Sequence, residues 1–575
     1  LRNLRRARAK ASVKAEAFAE DVRRIARDRS RAMRSFASVL RDRADSTPDR
    51  HAFRFLGSRR GEVDNVTYEA LLGRAAALAR RLDVSPGDRV LLLHPPGIGY
   101  IAAFFGCLLV GAIPVPAYPP RNNRNLERLR AILDDAGAHV AIATDTLVAR
   151  VGDAPELAGL RWVTTDLADI AEPPPLSHRE LAFLQYTSGS TGSPKGVMVT
   201  HANLYANTAA IAERFGLHRE SQGVIWLPPF HDMGLIGGIL APLATGFPCT
   251  LMAPTTFLVS PIRWLEAVSD ERGTVAGGPD FAWALCARRI NEEARAKLDL
   301  SSWTAAFTGA EPVRTATLDR FAEAFAVSKF PPRAWLPCYG LAEATLIVSG
   351  TPSMSGVVTR NVSAEGLARF VAEPGDQTIV SCGPAALDSA ITIVDEQGNV
   401  QPDEHIGEIV VRGPGIASGY WGMPDVSLAT FGTPDDHFLK TGDLGFLSGG
   451  QLYITGRKKD LIVLRGRNLY PQDVEIVAEA AHPDLRAGGS AAFGVELDGE
   501  ERLVIAMEVE ARRSPDAAEV SEAVKLAVVD AMDAAIHEVL LLPAGTLPRT
   551  SSGKVRRSTT RASWLAGTLK DEEGE

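Results

Sequence analysis

The chain is 575 residues long, more than one hydrophobic core usually serves, so two or more domains are expected. With 45% apolar and 23% charged residues it has the balance of a soluble globular enzyme, and a net charge of -8 argues against a general nucleic-acid binder. Five scattered cysteines, Cys107, Cys249, Cys286, Cys338 and Cys382, without a CxxC pair or Cys/His ligand spacing, point to free thiols in a reducing, cytoplasmic setting rather than to disulfides or structural zinc.

Residues 1–34 are rich in Lys, Arg and good helix formers and read as a basic helical leader, either solvated or docking on an acidic partner. The start at Leu1 is expected of a chain trimmed or excised from a longer, multidomain polypeptide, and no apolar core with a cleavage site follows the basic start to make a secretory signal. From there a helix and a strand are expected in ASVLRDRADSTPDRHAFRFL, then a helix capped by Thr67, a short buried strand at DRVLLLH, and further units at VAIATD and RWVTTD. Gly97 to Pro116 carries no charge over about the length of a membrane span. Its Pro114 and Pro116 instead divide it into a helix of about fourteen residues and a short strand, a buried helix on a sheet. Strands alternating with helices predict layered α/β architecture with largely parallel sheets.

The stretch LQYTSGSTGSPKGVMVTHANL holds hydroxyls at Thr187, Ser188, Ser190 and Thr191, and glycines at 189, 192 and 196 that let backbone N–H groups close on an anion. Lys195 adds a mobile positive charge. A Walker loop needs Gly-Lys followed by Ser or Thr, whereas here Pro194 precedes the lysine and Gly196 follows it. Apolar runs on both sides predict a strand-loop-strand phosphate clamp. Further on, GVIWLPPF reads as a strand ending at His231-Asp232, a pair too small for a metal site.

YTSGSTGSPKG resembles the nucleotide-binding signature of the adenylate-forming superfamily of acyl-CoA ligases, peptide-synthetase adenylation domains and luciferases. PPFHDMGLIGGILAPL, GPDFAWALC, YGLAEATL and SCGPAA resemble its fatty acyl-AMP ligase branch, over nearly the whole chain. That likeness implies a large N-terminal domain of layered α/β sheets over 35–455, carrying a small β-barrel-like subdomain at 390–445. A hinge at 456–460 and a small mobile α+β C-terminal domain at 461–564 follow, with 565–575 as an acidic exit linker. A long segment at 351–380 matches an insertion that distinguishes these ligases from acyl-CoA ligases.

The resemblance implies ATP and Mg²⁺ as cofactors, a fatty acid as substrate and a holo acyl carrier protein as partner, with no nucleic acid and no membrane span. Thr187, Ser188, Gly189, Ser190, Thr191, Gly192 and Lys195 would hold phosphates. Gly309, Ala310, Glu311, Tyr339 and Gly340 would frame the base, Gly309 by letting backbone approach it and Tyr339 by stacking. Glu343 would bind the metal, since Mg²⁺ keeps waters and takes one or two protein oxygens. Asp443 would accept the ribose hydroxyls with Arg457 beside it, Lys459 would be the hinge, and His231 would stand between acyl pocket and nucleotide. Lys554, in LPRTSSGKVRRS, would be the catalytic lysine brought in by closure of the small domain. In that domain, strands are expected at SAAFGVEL and RLVIAMEVE and one long helix from Val520 to Val539. Two other readings share these motifs: a fatty acyl-CoA ligase and an inactive adenylation-like docking module.

Overall fold

The computed structural model describes residues 35–120, 126–165, 170–177, 179–187, 194–464, 467–497, 500–510, 516–532, 534–550 and 554–569. The expected leader and, within the phosphate loop, Ser188, Gly189, Ser190, Thr191 and Gly192 lie outside the described residues.

Helix α1 (Ala37–Ser46) leads into β1 (His51–Leu56) and β2 (Val63–Thr67), which form an antiparallel pair. The Thr67 hydroxyl accepts a hydrogen bond from the Ala70 N–H and so starts α2 (Tyr68–Leu82) as expected. Strands β3 (Arg89–Leu92), β4 (Ile113–Pro116), β5 (Val140–Ala143) and β6 (Arg161–Thr164) make a parallel sheet in the order β4-β3-β5-β6. The uncharged run is α3 (Ile98–Leu109), buried at all its positions, followed by β4. Edge placement lets β4 tolerate Pro114 and Pro116, which cannot donate to a ladder.

Strands β7 (Leu181–Thr187) and β8 (Lys195–Thr200) form the expected antiparallel hairpin, with Thr187 opposite Lys195. Helix α4 (His201–Phe215) follows it, opened by a capping box at Thr200 and Asn203. Strands β9 (Gly223–Ile225), β10 (Cys249–Met252), β11 (Val275–Gly278), β12 (Ala305–Thr308), β13 (Trp335–Gly340) and β14 (Ile347–Gly350) join β1 and β2 in an eight-stranded sheet. The strand read into GVIWLPPF ends at Ile225, because Pro228 and Pro229 cannot continue a ladder. A π-helical segment, Met233–Leu240, comes next, a geometry that recurs at functional sites.

Segment 351–380 is ordered: β15 (Thr359–Val362) pairs antiparallel with β16 (Gln377–Val380) around the short helix Ala364–Ala368. The barrel-like region is a four-stranded antiparallel sheet, β17 (Ala390–Val394), β18 (Gly407–Arg412), β21 (Leu439–Ser448) and β22 (Gln451–Arg457), in that order. A two-stranded ribbon of β19 (Gly432–Thr433) and β20 (Asp436–His437) lies beside it in the chain. The remainder is smaller: the pair β23 (Ile462–Leu464) and β24 (Arg467–Leu469), helix α5 (Pro471–Ala480), and a three-stranded sheet of β25 (Leu485–Leu497), β26 (Glu500–Val509) and β27 (Ile536–Leu542).

The helix read from Val520 to Val539 is instead two elements. Helix α6 (Ala517–Met532) stops, and the chain returns as β27, parallel to β26, with Val539 opposite Ile505. Its segment IHEVLLL carries the β-branched and aliphatic residues of a strand, and burial of Leu540 and Leu542 beside Phe493 outweighs helix propensity. Helix α7 (Arg557–Leu565) closes the described chain, and Leu569, read as part of a linker, is buried against the same cluster. Among the described residues no helix is long and apolar enough to cross a membrane.

Candidate active site

One cavity of about 530 Å³ gathers side chains from elements hundreds of residues apart. Thr187, Lys195, His231, Ala310, Tyr339, Gly340, Glu343, Asp443, Arg457, Lys459 and Lys554 all line it. The base of the phosphate hairpin and Asp443 therefore face the same space.

Glu343 is held by its surroundings rather than by its own short 3₁₀ turn. The Asn207 side chain binds the Ala344 and Ile347 backbones just after it, and the Ala417 N–H donates to the Glu343 carbonyl. Thr345 adopts φ 66°, unfavourable for a β-branched residue, and its hydroxyl donates to the Gly415 carbonyl at 2.7 Å, fixing that turn. Burial pushes the Glu343 carboxyl up, while a hydrogen bond from the Tyr420 hydroxyl at 2.9 Å opposes this. The same Tyr420 ring receives the Lys195 ammonium 5.0 Å from its centroid, so phosphate lysine and carboxylate share one aromatic bridge. Glu343 makes no ion pair within 4.0 Å among the described residues.

Asp443 and Arg457 are fourteen residues apart but directly opposite in the β21–β22 ladder, with the guanidinium 3.1 Å from Oδ1. The Tyr339 hydroxyl donates to Asp443 Oδ2 at 2.6 Å. Two residues past the end of β12, Ala310 takes the left-handed backbone conformation, φ 66°, and lines the cavity. Gly309 meets a packing demand of its own. It does not line the cavity, and an added Cβ would stand 2.5 Å from the Cys338 carbonyl oxygen, so the glycine accommodates the neighbouring strand. Glu311 also lies behind the wall, where it accepts a hydrogen bond from the Phe281 N–H at 3.2 Å.

His231 Nδ1 stands 2.6 Å from Asp232 Oδ1. Burial pushes the Asp232 carboxyl up, but His231, the Met233 N–H and Lys554 outweigh it and hold the group below the usual carboxylate range. Lys554 is lowered by burial, with Glu311, Asp232 and Asp443 pulling the other way. Both flanks of this lysine are anchored on buried carboxylates. Glu508, with no exposed surface, binds Arg486, Arg549 and the Leu547 N–H, while Glu475 takes Arg557 in a two-pronged contact at 2.6 Å on each arm.

Several lining residues escaped the sequence reading. Tyr420 and Asp232 were legible only as parts of strand or motif. Arg128, which donates to the Thr187 carbonyl, and Gln185, whose buried Oε1 has no hydrogen-bond partner among the described residues, carried no local signal. Away from the polar groups the cavity continues as an apolar arm walled by Ile211, Phe215, Ile225, Phe247 and Phe307.

The fold is that of an adenylate-forming ligase. It superimposes with a TM-score of 0.83 and 33% identity on a solved fatty acyl-adenylate ligase from a study of the E. coli and L. pneumophila enzymes, covering 93% of this chain and 98% of that one. An L. pneumophila fatty acyl-adenylate ligase in complex with acyl adenylate and pyrophosphate is 36% identical, with a TM-score of 0.72, over 92% of this chain and 96% of its own. Residues 40–421 match the AMP-binding enzyme family, and residues 459–574 the Disco-interacting protein 2-like AMP domain. The medium-chain-fatty-acid–[acyl-carrier-protein] ligase JamA of Moorena producens is 41% identical over 93% of this chain and 96% of its own length. The long-chain-fatty-acid–AMP ligase FadD32 of Mycolicibacterium smegmatis is 35% identical over 91% and 93%. The chain belongs to the AMP-binding enzyme family, in its fatty acyl-AMP ligase branch.

Proposed function

We propose that this enzyme joins a fatty acid to AMP at the expense of ATP and hands the acyl group to the phosphopantetheine thiol of an acyl carrier protein. The observation that carries this reading is the cavity itself, in which a set of phosphate- and ribose-type polar groups opens directly into an apolar arm.

In the first half-reaction a carboxylate oxygen attacks the α-phosphorus of ATP. A P–O–C(acyl) bond forms, the bond to the bridging oxygen of the β-phosphate breaks, and pyrophosphate leaves with the electron pair. The attacking group is already an anion, so the protein aligns reactants and offsets charge rather than removing a proton. Thr187 and Lys195 hold the outer phosphates, Asp443 takes the ribose hydroxyls with Arg457 and Tyr339 fixing its orientation, and Lys554 supports the crowded α-phosphoryl centre. Glu343 fits a magnesium ion: a buried carboxylate at the cavity wall without a cationic partner among the described residues is the single hard ligand that such an ion takes beside phosphate and water. When bound, that ion would neutralise phosphate charge.

In the second half-reaction the thiol sulfur attacks the acyl carbonyl, the bond to the AMP oxygen breaks, AMP departs and the thiol proton is released. We assign residues 35–455 as the large domain and 461–564 as the small one. They turn about Lys459, in the short turn Lys458–Asp460 between β22 and β23. The test is incubation with ATP and a fatty acid plus either CoA or a holo carrier protein. Thioester on the carrier supports the proposal, thioester on CoA replaces it with a CoA ligase, and absence of pyrophosphate exchange across a broad acid panel makes the chain a docking module.

A further inference from the structure

The apolar arm ends on a shelf built across three neighbouring parallel strands. Register sets Cys249 of β10 beside Gly223 of β9, and Gly223 beside Val275 of β11. Residues paired in register face the same side of a sheet, so these three form one row. Ile225 and Phe307 line the same arm from two residues nearer the carboxyl ends of their strands, about 6.6 Å closer to the polar groups.

Gly223 leaves the centre of the row without a side chain, yet the gap is already filled. An added Cβ would stand 2.7 Å from Cys249 Sγ and 3.3 Å from Phe247 Cε2. The end wall is closed to solvent: Phe247 and Cys249 are each 1% exposed, Leu217 3% and Val275 6%. The arm is therefore blind, and whatever chain enters from the polar end has no way out past this row.

We propose that this shelf, with Cys249 and Val275 as its floor and Phe247 as its back wall, is the stop for the methyl end of the acyl chain and fixes the longest straight-chain acid the enzyme activates. The proposal rests on the reading of the cavity as a joint nucleotide and acyl site. Its physics is asymmetric. Each methylene that reaches dry wall improves kcat/KM about fourfold. The first methylene too many must displace close-packed side chains, which reverses the gain by roughly tenfold or more. Burial raises the Cys249 thiol, so it meets the chain as a neutral, soft hydrophobe.

The test is pyrophosphate release with straight-chain acids from butyrate to stearate, each rate read relative to butyrate, whose chain is too short to touch the shelf. The wild type should rise with length and then break sharply. Cys249→Ala should move the break to acids about one or two carbons longer, and Cys249→Met should move it at least as far the other way. A wild-type profile without a break, or variants that break where the wild type does, would overturn the proposal. If Cys249→Met loses turnover of every acid, the position of the break in Cys249→Ala decides. A wild type that forms adenylate with no acid would strike at the cavity's assignment itself, an outcome distinct from an unmoved break.

Discussion

Replacing Glu508 by Gln tests whether the segment that presents Lys554 is held from behind. The carboxylate is wholly buried and serves three donors: Arg486 at 2.7 Å, Arg549 at 3.3 Å and the Leu547 N–H at 3.0 Å. Glutamine keeps an acceptor for Leu547 but turns a donating amide toward two guanidinium groups. Each charge-assisted bond lost is worth about 1.5–3 kcal/mol. Side chains of Arg486 and Arg549 are 32% and 29% exposed and regain part of this from water. The net loss is then about 3 kcal/mol, the lower end for breaking a buried pair. Two readouts follow from it. Trypsin should cut at Arg549 or Arg556 in the native protein much faster than in the wild type, and pyrophosphate exchange should fall while ATP affinity holds. A Glu508→Gln protein with wild-type proteolysis and wild-type exchange would refute the idea that this carboxylate positions the lysine.

Lys554→Met should lower adenylate formation about 10²–10³-fold, the usual effect of deleting one group that stabilises transition-state charge, while thioester formation from supplied acyl-adenylate persists. Because burial lowers the Lys554 ammonium from its usual 10.5, its charge is lost as pH rises through that lowered value. The alkaline fall in adenylation should thus begin below the range of an ordinary lysine, and Lys554→Arg should push it upward. Tyr339→Phe deletes a 2.6 Å bond to Asp443 and should weaken ATP binding roughly tenfold, measured by calorimetry, a loss of about 1.4 kcal/mol. Burial raises the Asp473 carboxyl to about 6 from 3.8. Folding therefore favours its protonated form: the stabilisation is complete below 3.8 and disappears as pH climbs through 6, with at most about 3 kcal/mol at stake, reduced by the favourable helix N-terminus it occupies. Asp473→Asn should raise the unfolding midpoint at pH 8 and leave it unchanged at pH 3.5, and equal shifts at both would contradict this.

What the sequence disclosed was mostly local. Thr67 as a cap, the hairpin around the phosphate loop and the division of the uncharged run by Pro114 depend on neighbours within a few residues. So does the identity of the polar groups, because each sits in a short motif. What stayed hidden depends on partners far away in the chain. The Tyr420 bridge between Lys195 and Glu343 joins three distant segments. The service of Gly309 to the Cys338 carbonyl is a matter of strand packing, and no periodicity announces that Glu508 and Glu475 brace the lysine. The misread helix at Val520 to Val539 has the same origin, since only pairing with β26 reveals IHEVLLL as a strand.

Helix α3 has a consequence during synthesis. It offers no wet side, and one of its covers, Phe183, packs edge-on against Phe104 with ring centroids 5.8 Å apart. Phe183 is made about 74 residues after the helix ends, a delay of roughly 4–15 s at ordinary translation speeds. For that interval a greasy cylinder emerges from the ribosome with only α1, α2 and strands β1 to β4 available to shelter it, so slow codons placed between Leu109 and Phe183 should lengthen its exposure and lower the soluble yield.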